Sequence, residues 1–279
     1  MAIVDQKAER LRRILAGHAR LIVAYSGGVD SAFLAWMAHQ ALGDQMLAVI
    51  ADSPSLARTQ LQDALAFVRQ HEIPVAVVET EELKNPDYIR NDAMRCFHCK
   101  DELFTVLERY RATGGFDAIA YGVNTDDQGD FRPGQQAALE HHVLSPLVEA
   151  GLSKAEIREL ARQAGLRVWD KPASACLSSR MEYGRAVTPE ALGVIERGED
   201  ALRAFGFRQF RVRHHGEIVR IEIASEELPR AFTAEMAREF TAVFKELGFK
   251  FVTLDLEGFH SGSMNRLLSA EDLLRSRPL

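Results

Sequence analysis

Short apolar runs alternate with amphipathic stretches along the first part of the chain. LIVAY (21–25), MLAVIAD (46–52), PVAVVET (74–80) and FDAIAYG (116–122) each predict a buried strand. The stretches between them, such as LARTQLQDALAFVRQ (56–70), carry apolar residues at helical spacing. Apolar strands that alternate with helices predict a parallel sheet covered by helices on both faces.

Two further helices of this part are predicted from their ends. GLSKAEIRELARQAG (151–165) has Ser153 and Glu156 at the spacing of a capping box, and it ends at a glycine. DELFTVLERYRAT (101–113) is predicted as a helix that follows RCFHCK (95–100).

The pattern changes in the last third of the chain. FRQFRVRHH (207–215) and IVRIEIA (218–224) predict two neighbouring strands, and FTAEMAREFTAVFKELG (232–248) predicts a helix that precedes another strand. This is an α+β pattern. The sequence therefore predicts an α/β domain over 1–185 and a smaller α+β domain over 186–279.

Composition narrows the class of protein. The 279 residues carry a formal net charge of −6, which argues against a nucleic-acid binder because such proteins usually need a basic surface. No run approaches the roughly 20 apolar residues that cross a bilayer. The N-terminal MAIVDQKAERLRRILAG lacks the apolar core of a signal peptide, and three cysteines fit a reducing compartment. These features predict a cytoplasmic protein.

The loop SGGVDS (26–31) lies between a predicted strand and a predicted helix, where α/β sheets bind ligands. Its glycines would let the backbone approach an anion, and the helix N-terminus would present free N–H groups. Neither the Walker pattern nor the dinucleotide fingerprint is present, and a plain strand–helix turn is the alternative. The residues predicted to bind phosphates, with Asp30 also predicted to hold Mg²⁺, are Ser26, Gly27, Gly28, Val29, Asp30 and Ser31.

In this setting SGGVDS resembles the PP-loop of the ATP pyrophosphatase superfamily. The resemblance implies an enzyme that splits ATP between the α and β phosphates and adenylates a carboxyl or carbonyl oxygen of its substrate. It also implies that Lys171, in the Lys-Pro of WDKPASACLSSR (169–180), follows a late strand and faces the nucleotide.

The chain's three cysteines are Cys96 and Cys99, in a CxxC, and the remote Cys176. In a reducing compartment such a set indicates metal, cluster or thiol chemistry more often than a disulfide. Three thiolates leave one iron of a [4Fe–4S] cluster without a protein ligand. Zinc with His98 nearby, and a buried inert Cys176, are the alternatives.

Several motifs in the same order resemble the LarE-type ATP-dependent sulfur transferases, which act in nickel-pincer nucleotide biosynthesis. They are AYSGGVDSAFLA, ADSPSL, RCFHCK, YGVNTDDQGDFRPG, GLSKAEIRELA, WDKPASACLSSR and the terminal GSMN. The resemblance implies adenylation of a carboxylate of pyridinium-3,5-biscarboxylic acid mononucleotide, followed by replacement of oxygen by sulfur. Some members sacrifice the sulfur of the cysteine equivalent to Cys176, and others hold a [4Fe–4S] cluster. The family tends to form homo-hexamers, and the resemblance implies that the domain over 186–279 serves sulfur transfer, substrate binding and oligomerisation.

The resemblance also implies roles for polar residues outside the PP-loop. Lys171 and Arg180 are expected to act in catalysis together with Asp30 and Cys176. Further nucleotide contacts are expected from Asp52, Ser53, Asn124 and Asp127. Substrate contacts are expected from Asp130, Arg132, Ser179, Arg180, Arg211 and Arg213, the last two from one face of a strand.

Three other functions fit parts of the pattern. A PP-loop tRNA thiolation enzyme also uses three cysteines, but it predicts a basic face that the net charge does not favour. An amidating enzyme related to GMP or NAD synthetases shares SGGVDS but needs ammonia rather than thiols. A nucleotide or redox sensor would not need to keep the complete loop and Lys171.

Overall fold

The computed structural model describes most of the chain, namely residues 3–128, 133–172, 175–260 and 262–268. The described residues form two compact units. The first comprises 3–82 and 96–172, and the second comprises the remaining described residues, so that 83–95 belongs with the C-terminal part. The predicted domains, 1–185 and 186–279, stay a prediction.

The strands form one sheet in each unit. The four strands of the first unit all run parallel, in the order β3-β2-β1-β4, and those of the second unit form a mixed sheet in the order β5-β6-β7. Their bounds are β1 (Leu21–Ala24), β2 (Met46–Asp52), β3 (Val75–Glu79), β4 (Ala118–Tyr121), β5 (Phe210–His215), β6 (Ile218–Ile223) and β7 (Phe251–Leu254).

The helices connect these strands and cover the sheets. In chain order they are α1 (Ile3–Ala16), α2 (Val29–Leu42), α3 (Arg58–Gln70), α4 (Pro86–Ile89), α5 (Arg95–Gly114), α6 (Pro133–Glu140), α7 (Pro146–Glu149), α8 (Lys154–Gln163), α9 (Pro189–Ala204), α10 (Leu228–Ala231) and α11 (Ala234–Glu246). Short 3₁₀ turns lie between several of them.

Alternating residues of β1 enter two different cores. Leu21 and Val23 belong to the core that β1 shares with α1, α2 and α8. Ile22 and Ala24 belong to the opposite core, which includes Phe104 of α5 and residues of α6. Both faces of the parallel sheet are therefore covered by helices, as predicted.

The second unit builds its core on one face of its mixed sheet. β5 and β6 are antiparallel, whereas β7 runs parallel to β6. Gly198 of α9 packs so tightly that an added Cβ would lie 2.7 Å from Phe244 of α11 and 3.3 Å from Val212 of β5. The predicted α+β character of the C-terminal part is confirmed.

Helix α5 begins earlier than predicted. It starts at Arg95 rather than after RCFHCK, so both cysteines of the CxxC lie within the helix. The backbone carbonyl of Asp92 accepts a hydrogen bond from Arg95 N (3.1 Å), and the Asp92 side chain accepts one from Met94 N (2.8 Å). These bonds start the helix before the first cysteine.

The predicted capping box at the start of α8 is confirmed. Ser153 Oγ accepts a hydrogen bond from Glu156 N (3.3 Å), and Glu156 Oε2 accepts one from Ser153 N (2.9 Å). The Lys7 ammonium also donates to Glu156 Oε1 (2.6 Å). Burial raises the pKa of Glu156, but these partners outweigh it and hold that pKa below its usual range.

We expect Ser153→Ala to lower the free energy of unfolding by about 1 kcal/mol, because the N–H group of Glu156 loses the hydroxyl oxygen that caps it. Ser153→Asp keeps a capping oxygen and should lie within about 0.5 kcal/mol of the parent. Urea denaturation followed by far-ultraviolet circular dichroism measures both. Equal losses in the two variants would contradict the capping role.

Candidate functional site

The loop SGGVDS follows β1 at the point where the strand order reverses. β2 and β3 lie on one side of β1, and β4 lies on the other. Ligands of open α/β sheets bind at the carboxyl ends of the strands beside such a reversal. The loop and the segment after β4 therefore occupy the position expected of a binding site.

The two glycines of the loop have different roles. Gly27 has a φ of 72°, and a Cβ there would lie 2.6 Å from the Cβ of Ala64 on α3. Gly28 has an ordinary φ of −77° and is the N-cap of α2, and a Cβ there would meet only Ser26 Oγ, at 3.6 Å. Gly27 is required for the turn, whereas Gly28 leaves the helix N-terminus uncovered.

The serine hydroxyls hold the loop to the first turn of α2. Ser31 Oγ donates to the carbonyl of Gly28 (3.1 Å) and accepts from Ser26 N (3.2 Å). The two hydroxyl oxygens lie 3.0 Å apart, and Gln60 Nε2 donates to the carbonyl of Ser26 (3.3 Å). Both hydroxyls thus lie at the helix N-terminus, where a phosphate would bind.

Asp30 forms an ion pair with a lysine distant in sequence. Lys154 Nζ lies 2.5 Å from Asp30 Oδ2, whereas Asp30 Oδ1 is buried and has no hydrogen-bond partner among the described residues. Burial raises the pKa of Asp30, Lys154 opposes this shift, and the negative charge of Asp127 adds to it. A buried carboxylate oxygen without a partner is costly, so this oxygen is suited to a cation.

The turn after β4 brings that lysine to Asp30. Asn124 Oδ1 accepts from Asp126 N (2.9 Å), and Asp127 Oδ2 accepts from Asn124 N (3.1 Å). Asp126 Oδ2 in turn accepts from Lys154 N (3.0 Å). The side chains of Asn124 and Asp127 therefore cap their own turn and, through it, position the start of α8.

A small cavity of about 90 Å³ lies against the loop. Its cation is Lys100, the residue directly after Cys99 in RCFHCK. The ammonium group of Lys100 and the hydroxyl groups of Ser26 and Ser31 are a set of donors suited to an anion. The lining residues are Ala24, Tyr25, Ser26, Ser31, Lys100, Leu103, Tyr121 and Gly122.

Lys171 lies beside α3 rather than at the end of a strand. The expectation of a late strand was wrong, because Lys171 follows the 3₁₀ turn Arg167–Asp170. Its Nζ lies 3.3 Å from Asp63 Oδ2, and its carbonyl accepts from Arg158 NH2 (2.8 Å). These contacts hold the ammonium group beside α3, the helix whose Ala64 lies against Gly27.

Asp52 and Ser53, which were predicted to contact the nucleotide, lie at the end of β2 and stabilise the turn that follows. Arg58 NH1 lies 2.5 Å from Asp52 Oδ1, and its NH2 donates to the carbonyl of Ser53 (2.7 Å). Ser53 Oγ lies 2.7 Å from Ser55 Oγ, which donates to Glu82 Oε1 (3.1 Å). Their predicted role in nucleotide binding stays a prediction.

The two cysteines of the CxxC lie within the first two turns of α5. Cys96 is exposed and Cys99 is half-buried. Residues three apart on a helix share a face, so the two sulfur atoms can act together. Among the residues that the structure describes, no three histidine, cysteine or acidic side chains form a group able to hold a metal ion.

In the second unit, Arg180 organises the segment that carries Cys176. Arg180 NH1 donates to the carbonyls of Ala175 (2.6 Å) and Cys176 (2.9 Å), and Ser179 Oγ donates to the same carbonyl of Cys176 (2.8 Å). Arg180 Nε and NH2 donate to the two oxygens of Glu199 (2.8 and 3.2 Å). This buried bidentate pair fixes the guanidinium at the backbone carbonyl of Cys176.

Arg211 and Arg213 lie two residues apart on β5 and so share a face. Arg213 NH2 lies 2.7 Å from Glu222 Oε2, and its NH1 donates to the carbonyl of Ser179 (3.1 Å). Burial lowers the pKa of Arg211 to about 10, and the positive charges of Arg180 and Arg213 add to this shift. The three arginines therefore interact electrostatically, as a cluster that favours an anion would. The other predicted substrate residues, Asp130 and Arg132, lie outside the described residues.

Comparisons with known proteins decide the family. A family model for NAD synthase matches residues 4–93, which include the loop. An uncharacterised protein of Synechocystis is 41% identical over 267 residues, covering 96% of this chain and 100% of its own length. The pyridinium-3,5-bisthiocarboxylic acid mononucleotide synthase of Lactiplantibacillus plantarum is 33% identical over 277 residues, covering 98% and 99%. The chain belongs to the LarE-type family of PP-loop enzymes.

A GMP synthase of Rhizobium johnstonii is 28% identical over 191 residues, but it is matched over 35% of its length and 60% of this chain. The Synechocystis protein and the Lactiplantibacillus plantarum synthase are matched over almost their whole length, so the C-terminal unit also belongs to the shared architecture.

As a LarE-type protein, the chain is an enzyme of the PP-loop ATP pyrophosphatase type, which uses ATP and Mg²⁺. The residues present fit the metal ion, because Mg²⁺ prefers oxygen ligands and Asp30 Oδ1 is buried without a partner among the described residues. In the described part of the chain, no helix is both long and apolar enough to cross a membrane.

Sequence reasoning missed four residues that lie against predicted site residues. Lys154 and Lys100 lie inside motifs that were recognised, but neither was assigned to the phosphate site. Gly122 was missed as well, although a Cβ there would lie 2.7 Å from Ser31 N. Glu199 carried no signal, because an acidic residue on an amphipathic helix is usually exposed.

We expect Gly27→Ala to lower the free energy of unfolding by about 2 kcal/mol, because alanine is strained at this φ and its Cβ would overlap Ala64. Gly28→Ala meets neither obstacle and should stay within about 0.5 kcal/mol of the parent. Urea denaturation measures both variants. A loss in Gly28→Ala as large as that in Gly27→Ala would contradict the different roles of the two glycines.

Proposed function

We propose that the enzyme adenylates a carboxylate of pyridinium-3,5-biscarboxylic acid mononucleotide with ATP and then replaces the activated oxygen by sulfur. The product would be the thiocarboxylate, an intermediate of nickel-pincer nucleotide biosynthesis. The observation that carries the proposal is the end-to-end match with the synthase of Lactiplantibacillus plantarum, together with the complete PP-loop.

The first step is attack by a substrate carboxylate oxygen on the α-phosphorus of ATP, with pyrophosphate leaving. The N–H groups at the start of α2 and the hydroxyls of Ser26 and Ser31 would hold the leaving pyrophosphate. Asp30 would hold Mg²⁺, which neutralises charge on the phosphates when bound. Lys154 would then be released from part of its attraction to Asp30 and can pair with a phosphate oxygen.

The second step is attack by a sulfur nucleophile on the acyl carbon of the adenylate. The carbon–sulfur bond forms, the carbon–oxygen bond to AMP breaks, and AMP leaves with the electron pair. AMP is a far better leaving group than oxide, which is the reason for the preceding adenylation. The acceptor is thereby thiolated without a change in the oxidation state of its carbon.

Two sources of sulfur are consistent with the cysteine content. In the first, Cys96, Cys99 and Cys176 hold a [4Fe–4S] cluster, which would supply a sulfide bound at the iron without a cysteine ligand. In the second, Cys176 gives up its own sulfur and becomes dehydroalanine. We favour the cluster, because a sacrificial Cys176 would leave Cys96 and Cys99 without a role.

We place the mononucleotide phosphate at Arg211 and Arg213, because two guanidiniums on one strand face can hold a phosphate by several hydrogen bonds. Arg180 and Ser179 would keep Cys176 in place during sulfur transfer. We further propose a cytoplasmic homo-hexamer. A separate donor protein would reload the cluster with sulfide.

We expect release of pyrophosphate from Mg-ATP that depends on the pyridinium dicarboxylate mononucleotide, and Asp30→Asn should slow it about 100-fold. Asp44→Asn, an exposed change at the other end of α2, is the matched control and should leave the rate unchanged. A coupled pyrophosphate assay gives the rate, and mass spectrometry of the product shows exchange of oxygen for sulfur. Pyrophosphate release stimulated by tRNA instead of the mononucleotide would contradict the proposal.

Protein purified without oxygen should contain about four irons and at least four acid-labile sulfides per chain. Cys176→Ala should lose most of both, because one of three thiolate ligands is removed. Colourless protein that resists reconstitution would contradict the cluster. A mass loss of one H₂S from the chain after a single turnover would then identify Cys176 as the sulfur source.

A further inference from the structure

One face of the second-unit sheet carries arginines that oppose one another across strands. Arg213 of β5 is the register partner of Arg220 of β6, and Arg211 is the partner of Glu222. We call these four residues the arginine face. Like charges at directly opposed positions repel, so Arg213 and Arg220 need a carboxylate between them.

Glu222 meets that need. It is fully buried, with Oε2 lying 2.7 Å from Arg213 NH2 and Oε1 lying 3.3 Å from Arg220 NH2. Asp255 Oδ2 also lies 2.5 Å from Arg220 NH1. One buried carboxylate is therefore shared by two guanidiniums, and its orientation determines where both can point.

The C-terminal segment covers the arginine face. We call residues 258–260 and 262–268 the terminal cover. The Phe259 ring centroid lies 4.8 Å from the central carbon of Arg211, and Met264 Sδ lies 3.4 Å from Arg220 NH2. Ser263 Oγ lies 3.0 Å from Arg213 NH2. Each of the three arginines thus contacts one residue of the cover.

Ser263 makes a contact that the other two residues do not. Its hydroxyl accepts from Arg213 NH2 and donates to Glu222 Oε1 (2.6 Å). Arg213, Ser263 and Glu222 therefore form a closed ring, because Arg213 also bonds the other oxygen of Glu222. The ring holds both ends of the carboxylate and fixes the tilt of the guanidinium. Ser263 is part of GSMN, whose role was not apparent from the sequence.

The backbone around Ser263 is built to hold it there. Gly262 has a φ of 72° and is the N-cap of the 3₁₀ turn Ser263–Leu267. Two residues further on, Asn265 Oδ1 accepts from the hydroxyl of Tyr183 (3.2 Å). Met264 between them is buried. The turn that carries Ser263 is thus held by a contact, between Tyr183 and Asn265, that does not involve the arginines.

We propose that Ser263 is a positioning residue for the phosphate of the substrate, acting through Arg213. This rests on the proposed function, in which Arg211 and Arg213 bind that phosphate. Without the hydroxyl, Arg213 can rotate towards Glu222, and Glu222 Oε1 loses the group that links it to Arg213. A guanidinium that has to be turned back when ligand binds holds that ligand more weakly.

The test compares Ser263→Ala with Ser263→Thr, which keeps the hydroxyl at a half-exposed position. In the pyrophosphate assay, Ser263→Ala should raise the KM for the pyridinium mononucleotide about fivefold to tenfold, with kcat within twofold of the parent. Ser263→Thr should restore KM to within twofold. The KM for Mg-ATP should be unchanged in both variants, because the PP-loop belongs to the first unit.

Arg266→Gln is the control within the cover. Arg266 pairs with Glu257 at 2.7 Å, and both side chains are 65% exposed, so this change should leave both KM values unaltered. An unchanged mononucleotide KM in Ser263→Ala, or an equal rise in the KM for Mg-ATP, would overturn the positioning role.

Arg213→Gln separates this inference from the proposed function. If Arg213→Gln weakens mononucleotide binding and Ser263→Ala does not, only the role of Ser263 fails. If neither variant changes the mononucleotide KM while pyrophosphate release continues, the placement of the phosphate at Arg211 and Arg213 fails. Failure of the parent enzyme to release pyrophosphate with the mononucleotide would instead contradict the proposed substrate.

Discussion

The candidate phosphate site of the first unit depends on one close approach between two backbones. The chain leaving β4 passes so near the first turn of α2 that a Cβ on Gly122 would lie 2.7 Å from Ser31 N. From there Thr125 N reaches the carbonyl of Leu152 (3.0 Å), which leads directly into α8. Without this approach, neither the turn after β4 nor Lys154 would reach Asp30.

The parts of this site that could be predicted are those whose chemistry is local. The apolar run LIVAY predicted the strand, and SGGVDS predicted the tight turn and the helix N-terminus, because glycine and serine preferences act over a few residues. Lys154 pairs with Asp30 across 124 positions, and its segment looks like an ordinary capped helix. The early start of α5 was missed for a related reason. Asp92 accepts a hydrogen bond from Met94 N just before the helix, but in the sequence it resembles any loop aspartate.

In the second unit, strand alternation predicted that Arg211 and Arg213 share a face, but not how that face is closed. Glu199 and Glu222 are buried acids, and sequence composition does not distinguish them from solvated ones. The terminal cover lies far along the chain from β5, and its contacts arise only when β6 and β7 are in register. Register could not be derived from the sequence alone, since the pattern allows several alignments of charged strands.

The burial of so many charges in the second unit points to orientation rather than stability as their purpose. A buried ion pair gains little over well-packed apolar side chains, because desolvation offsets most of the attraction. Arg180–Glu199 and Arg213–Glu222 nevertheless lie almost wholly out of solvent. Removing either acid would leave a buried guanidinium without compensation, so folding and binding would fail together. A neutral hydroxyl such as that of Ser263 can turn the same guanidinium without changing its charge, so orientation can be altered there while both buried ion pairs remain.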